Sequence, residues 1–454
     1  MPVAGLPAPA PFTYAEQPGL PYFGTMLSFA HDPIAYEVGL RKTADIVATT
    51  GFGRRFYAIS HPDLIEDVLV TKNTHFRKAP GLRSLTQIFG NGLLTSDGDF
   101  WLRQRRLASP SFHRQRIAAY ADRMVQAAVR MLDTWRPGQT LDLHQQMMHL
   151  TLDIVAACLF GTDTSTEAGR IGHALDAVMN LLNNQGLIKL IQGMLRIRTR
   201  EHEEFDDGIK TLDEVIYGII RSRQQSDDDH GDLLSMFLAA RDEDGGQMSE
   251  LQLHDECLTM FIAGHETTAL ALSWAWYELT QNPTNADRMR AELVQVLAGR
   301  PPTLADLPAL PYTSQIMTET MRLHPPAWNI SREAITDVEI GGRMIPAGAE
   351  ILMSQYAVHR HPRYYEDPDT FKPGRWSDDL ARTLPKYAYF PFGGGPRLCI
   401  GQQFAQMEAI LILATMAQRF DLHLVPGQRI VPQPGITLRP KYGLKVKLRS
   451  LGIG

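Results

Sequence analysis

One cysteine stands in a segment whose residue types suit a thiolate metal ligand. The sequence from Phe392 to Gly401 is F-G-G-G-P-R-L-C-I-G, with the cysteine at 399. Glycines at 393 to 395 would let backbone N–H groups approach the sulfur, and the helix predicted just after Cys399 would favour a negative charge there. A bound metal also favours the deprotonated thiol. The alternative is a small buried hydrophobic residue beside a glycine-rich turn.

Two polar residues interrupt the longest apolar stretch. Ser249 and the Gln three residues later fit a capping box, and the predicted helix continues until Asn282-Pro283 ends it. Its apolar residues extend around the cylinder, so we expect the helix to be buried. Glu266 and Thr267 stand in the middle, where packing rarely calls for such residues. The alternative is a kinked helix whose Thr267 hydroxyl bonds back to the preceding turn.

These segments together resemble the cytochrome P450 family. The cysteine segment matches the family signature F-x-x-G-x-R-x-C-x-G at every fixed position, residues 263–267 match A/G-G-x-D/E-T, and residues 319–322 match E-x-x-R. The resemblance implies a mainly α fold with small peripheral β-sheets and a haem between the long central helix and the cysteine loop. We expect one haem domain over residues 1–454, with a Pro-rich extended segment over 1–30.

The resemblance also implies roles at the haem. Cys399 would be the axial ligand of a non-covalent b-type haem (heme b, iron protoporphyrin IX), since no C-x-x-C-H motif is present. Glu266 and Thr267 would deliver protons to bound oxygen, and Gly264 would leave room for it. The other expected cofactor contacts, on a propionate or beside the sulfur, are Arg397, Trp101, Arg105, Lys78, Phe392 and Gly393.

Some charged residues have structural or undecided roles. Glu319 and Arg322 lie at i and i+3, where they can pair, and the family pattern adds Arg375 to form a structural triad. A lone E-x-x-R is common, and an exposed surface pair is the alternative. Lys78 and Arg332 would reach a propionate, with ordinary surface charge as the equal alternative.

The expected activity is that of a haem-thiolate monooxygenase, which inserts one oxygen atom of O2 into a lipophilic substrate. Electrons derived from NAD(P)H would come through a separate partner, a ferredoxin or flavodoxin with its reductase. Arg103, Arg105, Arg106, Arg114 and Arg116 would form its basic docking surface. The alternatives are a haem-thiolate isomerase, dehydratase or peroxygenase, and a non-catalytic haem sensor or electron carrier; the Glu266–Thr267 pair argues against both.

Apolar residues at the family's pocket positions predict a lipophilic substrate. A fatty acid and a terpenoid or steroid stay open as substrates. Asn329 is the one polar neighbour of this pocket, and Arg54 and Arg55 would hold a carboxylate or, in the alternative, be solvated turn charges. The expected pocket residues are Leu93, Leu94, Phe261, Ala263, Ala327, Trp328 and Ile436.

Composition narrows the function classes. The chain has 454 residues and a formal net charge of −5, which argues against a nucleic-acid binder. The other two of its three cysteines, Cys158 and Cys257, lie in apolar helical patterns and are expected to be core residues. An odd number of cysteines that lie far apart in the sequence is typical of a protein from a reducing compartment, so we expect a cytoplasmic protein. We expect neither a signal peptide nor a membrane anchor.

The remaining elements follow from periodicity and turn residues. We expect a hairpin of strands over 46–50 and 55–60, a short helix opened by Pro62, and mostly helix over 100–223. Further helices are expected over 313–323 and 402–419, with short strands over 335–356 and a β-prone C-terminus over 430–448. The acidic segments 226–232 and 242–246 are expected to be solvated loops.

Overall fold

The computed structural model describes residues 12–161, 167–183, 199–225, 231–243 and 245–451, and the fold is mainly helical, as predicted. The helices are α1 Met26–His31, α2 Pro33–Thr43, α3 Pro62–Glu66, α4 Pro80–Ser84, α5 Thr86–Phe89, α6 Gly98–Ala108, α7 Arg114–Ala118, α8 Ala121–Thr134, α9 Leu143–Phe160, α10 Glu167–Asn183, α11 Arg200–Gln224, α12 Leu233–Ala239, α13 Glu250–Gln281, α14 Pro283–Leu297, α15 Pro311–Leu323, α16 Gln355–Val358, α17 Asp378–Thr383 and α18 Gln402–Arg419.

The strands are short and gather into small sheets, which confirms the other half of the predicted fold class. They are β1 Tyr14–Glu16, β2 Ile46–Gly51, β3 Arg54–Ile59, β4 Phe76–Lys78, β5 Thr140–Asp142, β6 Ile330–Ala334, β7 Val338–Ile340, β8 Arg343–Ile345, β9 Glu350–Met353, β10 Phe420–Leu424, β11 Pro432–Pro434, β12 Leu438–Pro440 and β13 Lys445–Ser450. In the described part of the chain, no helix has the length and apolar character needed to cross a membrane.

Residue contacts divide the chain into two compact units. Of the described residues, the first unit contains those within 1–80, 329–368 and 384–398, and the second contains those within 81–328, 369–383 and 399–454. The expectation of one haem domain over 1–454 stays a prediction.

The first unit is built on a six-stranded sheet with strand order β1-β2-β3-β9-β6-β4. The predicted hairpin is confirmed as β2 and β3, whose tight turn at Phe52 and Gly53 has positive φ at both residues (49° and 73°). Such a turn matches the right-handed twist of the strands. The expectation of an extended segment over 1–30 is wrong from Met26 onward, because α1 begins there; residues 1–11 lie outside the described residues.

The second unit is built around α13, a helix of 32 residues. The predicted capping box is confirmed, since Gln252 N–H donates to Ser249 Oγ (3.2 Å) and Ser249 N–H donates to Gln252 Oε1 (2.8 Å). The helix packs against α9, α11, α15 and α18, so most of its circumference is buried, as expected. Cys158 and Cys257 are buried core residues, as predicted.

One strand of the second unit lies where helix was expected. Strand β5 follows the break at Pro137-Gly138 and pairs antiparallel with β13, so that Thr140 lies opposite Lys447. Its partner lies some 300 residues further along the chain, where local periodicity carries no information about pairing. The expected helix over 402–419 and the β-prone C-terminus are both confirmed.

Candidate active site

Cys399 lies in the loop immediately before α18, in the second unit. Its side chain is accessible, yet the protein surrounds it closely enough that burial raises the pKa of the thiol. A hydrogen bond from the Gly401 N–H and the positive charge of Arg105 both lower that pKa. The sulfur therefore has an amide donor, a nearby cation and a helix N-terminus, a set that fits a thiolate bound to iron.

The glycine run before the cysteine is explained by close packing within the first unit. Gly395 has φ of 65°, and a Cβ there would stand 1.8 Å from the Leu69 carbonyl oxygen. A Cβ on Gly394 would stand 2.4 Å from the Tyr387 ring. Gly393 (φ 73°) donates its N–H to the Phe390 carbonyl at 2.9 Å, so this amide already has an acceptor. The amide on the sulfur belongs to Gly401 instead, which sequence reasoning missed.

Helix α6 brings Arg105 to the cysteine. Trp101 and Arg105 lie one turn apart, and the Trp101 ring is buried. Desolvation lowers the pKa of Arg105, while the Cys399 thiolate charge raises it. A half-buried guanidinium beside a thiol, one turn from a buried indole, suits the recognition of a carboxylate.

The central helix presents an accessible strip in the middle of its buried length. Ala263 is exposed, and Gly264 and Thr267 are partly exposed, whereas their neighbours along α13 are buried. Ala263 and Thr267 are four residues apart and so share one face of the helix. Thr267 Oγ1 donates to the Ala263 carbonyl at 2.8 Å, the back-bonded arrangement that the sequence left open. A Cβ on Gly264 would lie 3.0 Å from Val155, so this glycine also lets α13 pack on α9.

Glu266 is one member of a buried ion pair with Arg439. Its Oε1 accepts hydrogen bonds from Arg439 Nε and from Thr437 Oγ1, both at 2.5 Å, and the residue is 1% exposed. Burial raises the pKa of Glu266, but the charge and hydrogen bond of Arg439 outweigh this effect and hold the pKa below its ordinary value. Arg439 also donates to Asn180 Oδ1 at 3.1 Å. Sequence reasoning missed both β-segment partners, because they lie more than 170 residues from Glu266.

A second buried acid lies on α18. Glu408 is fully buried, and burial raises the pKa of its carboxyl to about 8, an effect that the Thr268 hydroxyl only partly offsets. Thr268 is itself buried and directly follows Thr267 along α13. Glu408 is therefore a neutral acid at pH 7, a group that the sequence patterns did not single out.

The titration of Glu408 predicts a pH dependence of stability. Because its folded-state pKa of about 8 exceeds the ordinary 4.5, the stability that it contributes is complete below about pH 4.5 and is lost as pH rises through about 8. Between pH 5.5 and pH 8, Glu408→Gln should therefore gain about 3 kcal/mol of unfolding free energy relative to the parent. Denaturant unfolding at the two pH values measures this gain. The exposed Glu243→Gln is the control, and a pH-independent difference for Glu408→Gln would contradict the prediction.

Glu319 is the fully buried centre of a charge cluster in the second unit. Its carboxylate accepts from Arg322 Nε and Nη2 (both 2.8 Å), from Arg375 Nε (2.9 Å) and from the indole of Trp376 (2.8 Å). Glu319 and Arg322 are both 0% exposed, which excludes the surface-pair alternative. The structure thus brings together the three residues of the predicted triad, and Trp376 is a member that the sequence did not reveal.

Two of the predicted propionate contacts lie opposite each other in the first unit. In the antiparallel pair of β4 and β6, Lys78 stands directly across from Arg332. Lys78 is 6% exposed, so the surface-charge alternative fails for it. Arg397 and Phe392 are partly buried in the same unit.

The expected pocket residues all belong to the second unit, and hydrogen bonds tie two of their segments together. Trp328 donates its indole N–H to the Gly435 carbonyl at 2.8 Å, beside Ile436, and Leu438 N–H donates to the Pro326 carbonyl, beside Ala327, at 3.0 Å. Phe261 and Leu93 are buried, and Leu94, Ala327 and Ile436 are partly buried.

The polar residues expected near the pocket have partners in the first unit. Asn329 donates to Glu37 Oε1 at 2.5 Å. Arg54 pairs with Glu333 at 3.3 Å, and Arg55 is exposed. These contacts favour the interpretation of Arg54 and Arg55 as turn charges.

The predicted docking arginines are partly neutralised. Arg103 pairs with Asp242 at 2.7 Å, and Arg106 pairs with Glu243 at 2.9 Å. The acidic segment 242–246 is thus not merely a solvated loop, because two of its carboxylates contact α6. Arg116 is exposed.

Comparison with known proteins identifies relatives along nearly the whole chain. The family model described as cytochrome P450 matches residues 15–448. Cyclooctatin synthase of Streptomyces melanosporofaciens is 38% identical, over 92% of this chain and 92% of its own. Cyclooctat-9-en-7-ol 5-monooxygenase of the same organism is 34% identical (93% and 92% covered), and pentalenene oxygenase of Streptomyces avermitilis is 31% identical (97% and 98%).

Solved structures share the fold. The retinoic acid bound cyanobacterial CYP120A1 has a TM-score of 0.84 at 27% identity, over 96% of this chain and 99% of its own. The cytochrome P450DA heme domain has a TM-score of 0.87 at 27% identity, over 97% and 98%. Together with the cysteine segment and the acid–alcohol pair, these matches show that the chain belongs to the cytochrome P450 family.

Proposed function

We propose that this haem-thiolate monooxygenase inserts one oxygen atom of O2 into a cyclic terpenoid. The observation that carries the proposal is the accessible strip of Ala263, Gly264 and Thr267 on an otherwise buried helix, in the same unit as Cys399. The terpenoid branch is favoured over fatty acids because two relatives matched over more than 90% of the chain are named cyclooctat-9-en-7-ol 5-monooxygenase and pentalenene oxygenase. Leu94, Ala327 and Ile436, which are partly exposed, would supply apolar surface that suits a hydrocarbon held by burial.

Haem b bound through Cys399 supplies the activation of O2 by electrons from a redox partner. The Cys399 thiolate would hold the haem and supply electron density to it. Gly401 N–H and Arg105 stabilise its negative charge. We assign Trp101 and Arg105 of the second unit to a propionate, whereas propionate contacts of Lys78, Arg332 and Arg397 stay predictions.

The proton donor on the accessible strip is the Thr267 hydroxyl. In this structure the hydroxyl donates to the Ala263 carbonyl, so its hydrogen must turn about the Cβ–Oγ1 bond before it is donated toward the open side. Glu266 is ionised and held by Arg439, so a relay through this acid requires its Oε1 to leave the guanidinium. We propose that Thr267 donates its proton directly and that Glu266 returns a proton to it only after the carboxylate has taken one up from solvent.

Thr267→Ala is expected to uncouple the enzyme. NAD(P)H consumption should continue, while at least about tenfold less product forms per electron and hydrogen peroxide accumulates, because a hydroxyl donor is missing from the strip. Product and peroxide yields per NAD(P)H measure the effect. Thr268→Ala is the matched control, since its side chain is buried beside Glu408 and not on the strip. If Thr267→Ala forms as much product per NAD(P)H as the parent, Thr267 is not the proton donor.

A ligand screen tests the substrate class. Cyclic terpene hydrocarbons and alcohols should shift the ferric protein from low to high spin, and the oxidised product should carry one atom from ¹⁸O-labelled O2. Long-chain fatty acids are the comparison set, and Arg54→Ala with Arg55→Ala should leave their weaker binding unchanged. If only fatty acids shift the ferric protein to high spin, the terpenoid proposal is wrong and a fatty acid is the favoured substrate. Turnover of a terpenoid without labelled oxygen would favour the isomerase alternative.

The electron donor is proposed to be a ferredoxin or flavodoxin with its reductase. The basic surface is narrower than the sequence indicated, because Asp242 and Glu243 neutralise two of its arginines. Among the predicted docking arginines whose side chains the structure describes, Arg116 is exposed and would steer an acidic partner. A cytoplasmic location stays a prediction.

A further inference from the structure

Two adjacent acids on the central helix hold the loop of residues 90–96, hereafter the 90–96 loop. Asp255 Oδ2 accepts the N–H of Asn91 at 2.7 Å, and Glu256 Oε2 accepts the N–H of Leu93 at 3.0 Å. The two acids are 6% and 1% exposed. Buried carboxylates that accept backbone N–H groups make strong, short hydrogen bonds. The loop is therefore fixed to α13 at two alternate residues.

The loop glycines fit this arrangement closely. A Cβ on Gly92 would stand 2.3 Å from Thr259 Oγ1 and 2.5 Å from the Asp255 carbonyl oxygen. A Cβ on Gly90 (φ 66°) would stand 2.0 Å from Asp255 Oδ1. No larger residue at either position leaves the loop where it is. Within the loop, Thr95 Oγ1 closes the turn by donating to the Gly90 carbonyl at 2.6 Å.

Asp255 is oriented from its outer side as well. His254 Nδ1 lies 3.1 Å from Asp255 Oδ1, and His254 Nε2 lies 3.0 Å from Asp213 on α11. The Tyr217 ring stacks on the imidazole at 4.4 Å. The carboxylate that holds Asn91 is thus fixed by a hydrogen-bonded series that begins on a second helix.

The loop carries two of the expected pocket residues. Leu93 donates the N–H that Glu256 accepts, and Leu94 follows it. On the same helix, Glu256 lies five residues before Phe261, which is about 7.5 Å of helix rise. Ala263 lies two residues further along. The acids therefore set the distance between the leucines and the accessible strip.

We propose that Asp255 and Glu256 are positioning residues that fix Leu93 and Leu94 relative to the strip and so decide which C–H bond of a bound lipophile is oxidised. The inference rests on the proposed function, since it treats Leu93 and Leu94 as pocket residues. It assigns the acids no contact with substrate or haem. Their effect is on the position of the product's new oxygen and on KM, more than on the haem spectrum.

The experiment compares Glu256→Ala, Glu256→Gln and Gly92→Ala in the haem-loaded protein. Hydrogen exchange at the Asn91 and Leu93 amides reports the loop, and product ratios from limonene and lauric acid report selectivity. Glu256→Ala should speed exchange at Leu93 by at least about tenfold and change the major product, because the acceptor of the Leu93 N–H is lost. Glu256→Gln keeps an acceptor oxygen and should restore most of the parent ratio, which loss of stability alone would not explain.

Gly92→Ala leaves both acids in place and should have the same two effects, because its Cβ must displace the loop. The matched controls are Gly218→Ala, whose Cβ would meet nothing within 4 Å, and Glu250→Ala, an exposed acid in the first turn of the same helix. Both should behave as the parent. If hydrogen exchange at Leu93 is unchanged in Glu256→Ala, Glu256 does not hold the 90–96 loop. If exchange is faster but the product ratios are unchanged, the loop is held by Glu256 but does not decide selectivity. If the parent oxidises neither limonene nor lauric acid, the proposed function and the role in selectivity are both contradicted. Hydrogen exchange then still decides whether the two acids hold the 90–96 loop.

Discussion

Cys399→His is expected to abolish both the thiolate-type spectrum of the reduced carbon-monoxide complex and oxygen insertion. A neutral imidazole in place of the thiolate removes the electron donation that favours O–O cleavage. It also leaves Arg105 without the negative charge that it faces. The Soret position of the reduced carbon-monoxide complex and product formation are the two measurements.

Cys257→Ala provides the matched control. Cys257 is a buried core thiol on α13, and burial raises its pKa, so it has no route to a thiolate at neutral pH. The control should keep the parent spectrum at a modest cost in stability. A thiolate-type spectrum retained in Cys399→His would overturn the assignment of the ligand.

Glu319→Gln is expected to cost about 3–5 kcal/mol of unfolding free energy, because it leaves two buried guanidinium groups without their counter-charge. Such a loss is a large fraction of the total stability of an ordinary protein domain. Arg322 is 0% exposed and Arg375 is nearly buried, so water cannot replace the carboxylate. Denaturant unfolding, with haem retention followed in parallel, measures the effect.

The control for the charge cluster is Glu250→Gln. Glu250 pairs with Arg221 at 3.4 Å on the surface, where an ion pair contributes only about 0–1 kcal/mol. The two substitutions are chemically identical and differ in burial. Equal losses in the two variants would show that the Glu319 cluster is not the stabilising element described above.

The sequence by itself determined the features that depend on neighbouring residues. Ser249 and Gln252 cap α13 as predicted, because a capping box needs only residues three apart and helical backbone. The hairpin of β2 and β3 and the helix after Cys399 follow from local turn and periodicity signals. The family signature around Cys399 is likewise visible in the sequence, because its residues lie at fixed positions close together along the chain.

Tertiary structure alone decided which distant residues meet. The pairing of Glu266 with Arg439, of Glu319 with Trp376, and of β5 with β13 joins segments separated by 57 to more than 300 residues. The same holds for Glu256 and the loop amide of Leu93. No local propensity encodes such contacts, because they depend on how whole helices and sheets pack around a shared core. The sequence therefore revealed the chemistry of the candidate site, whereas packing decided how its acids are held.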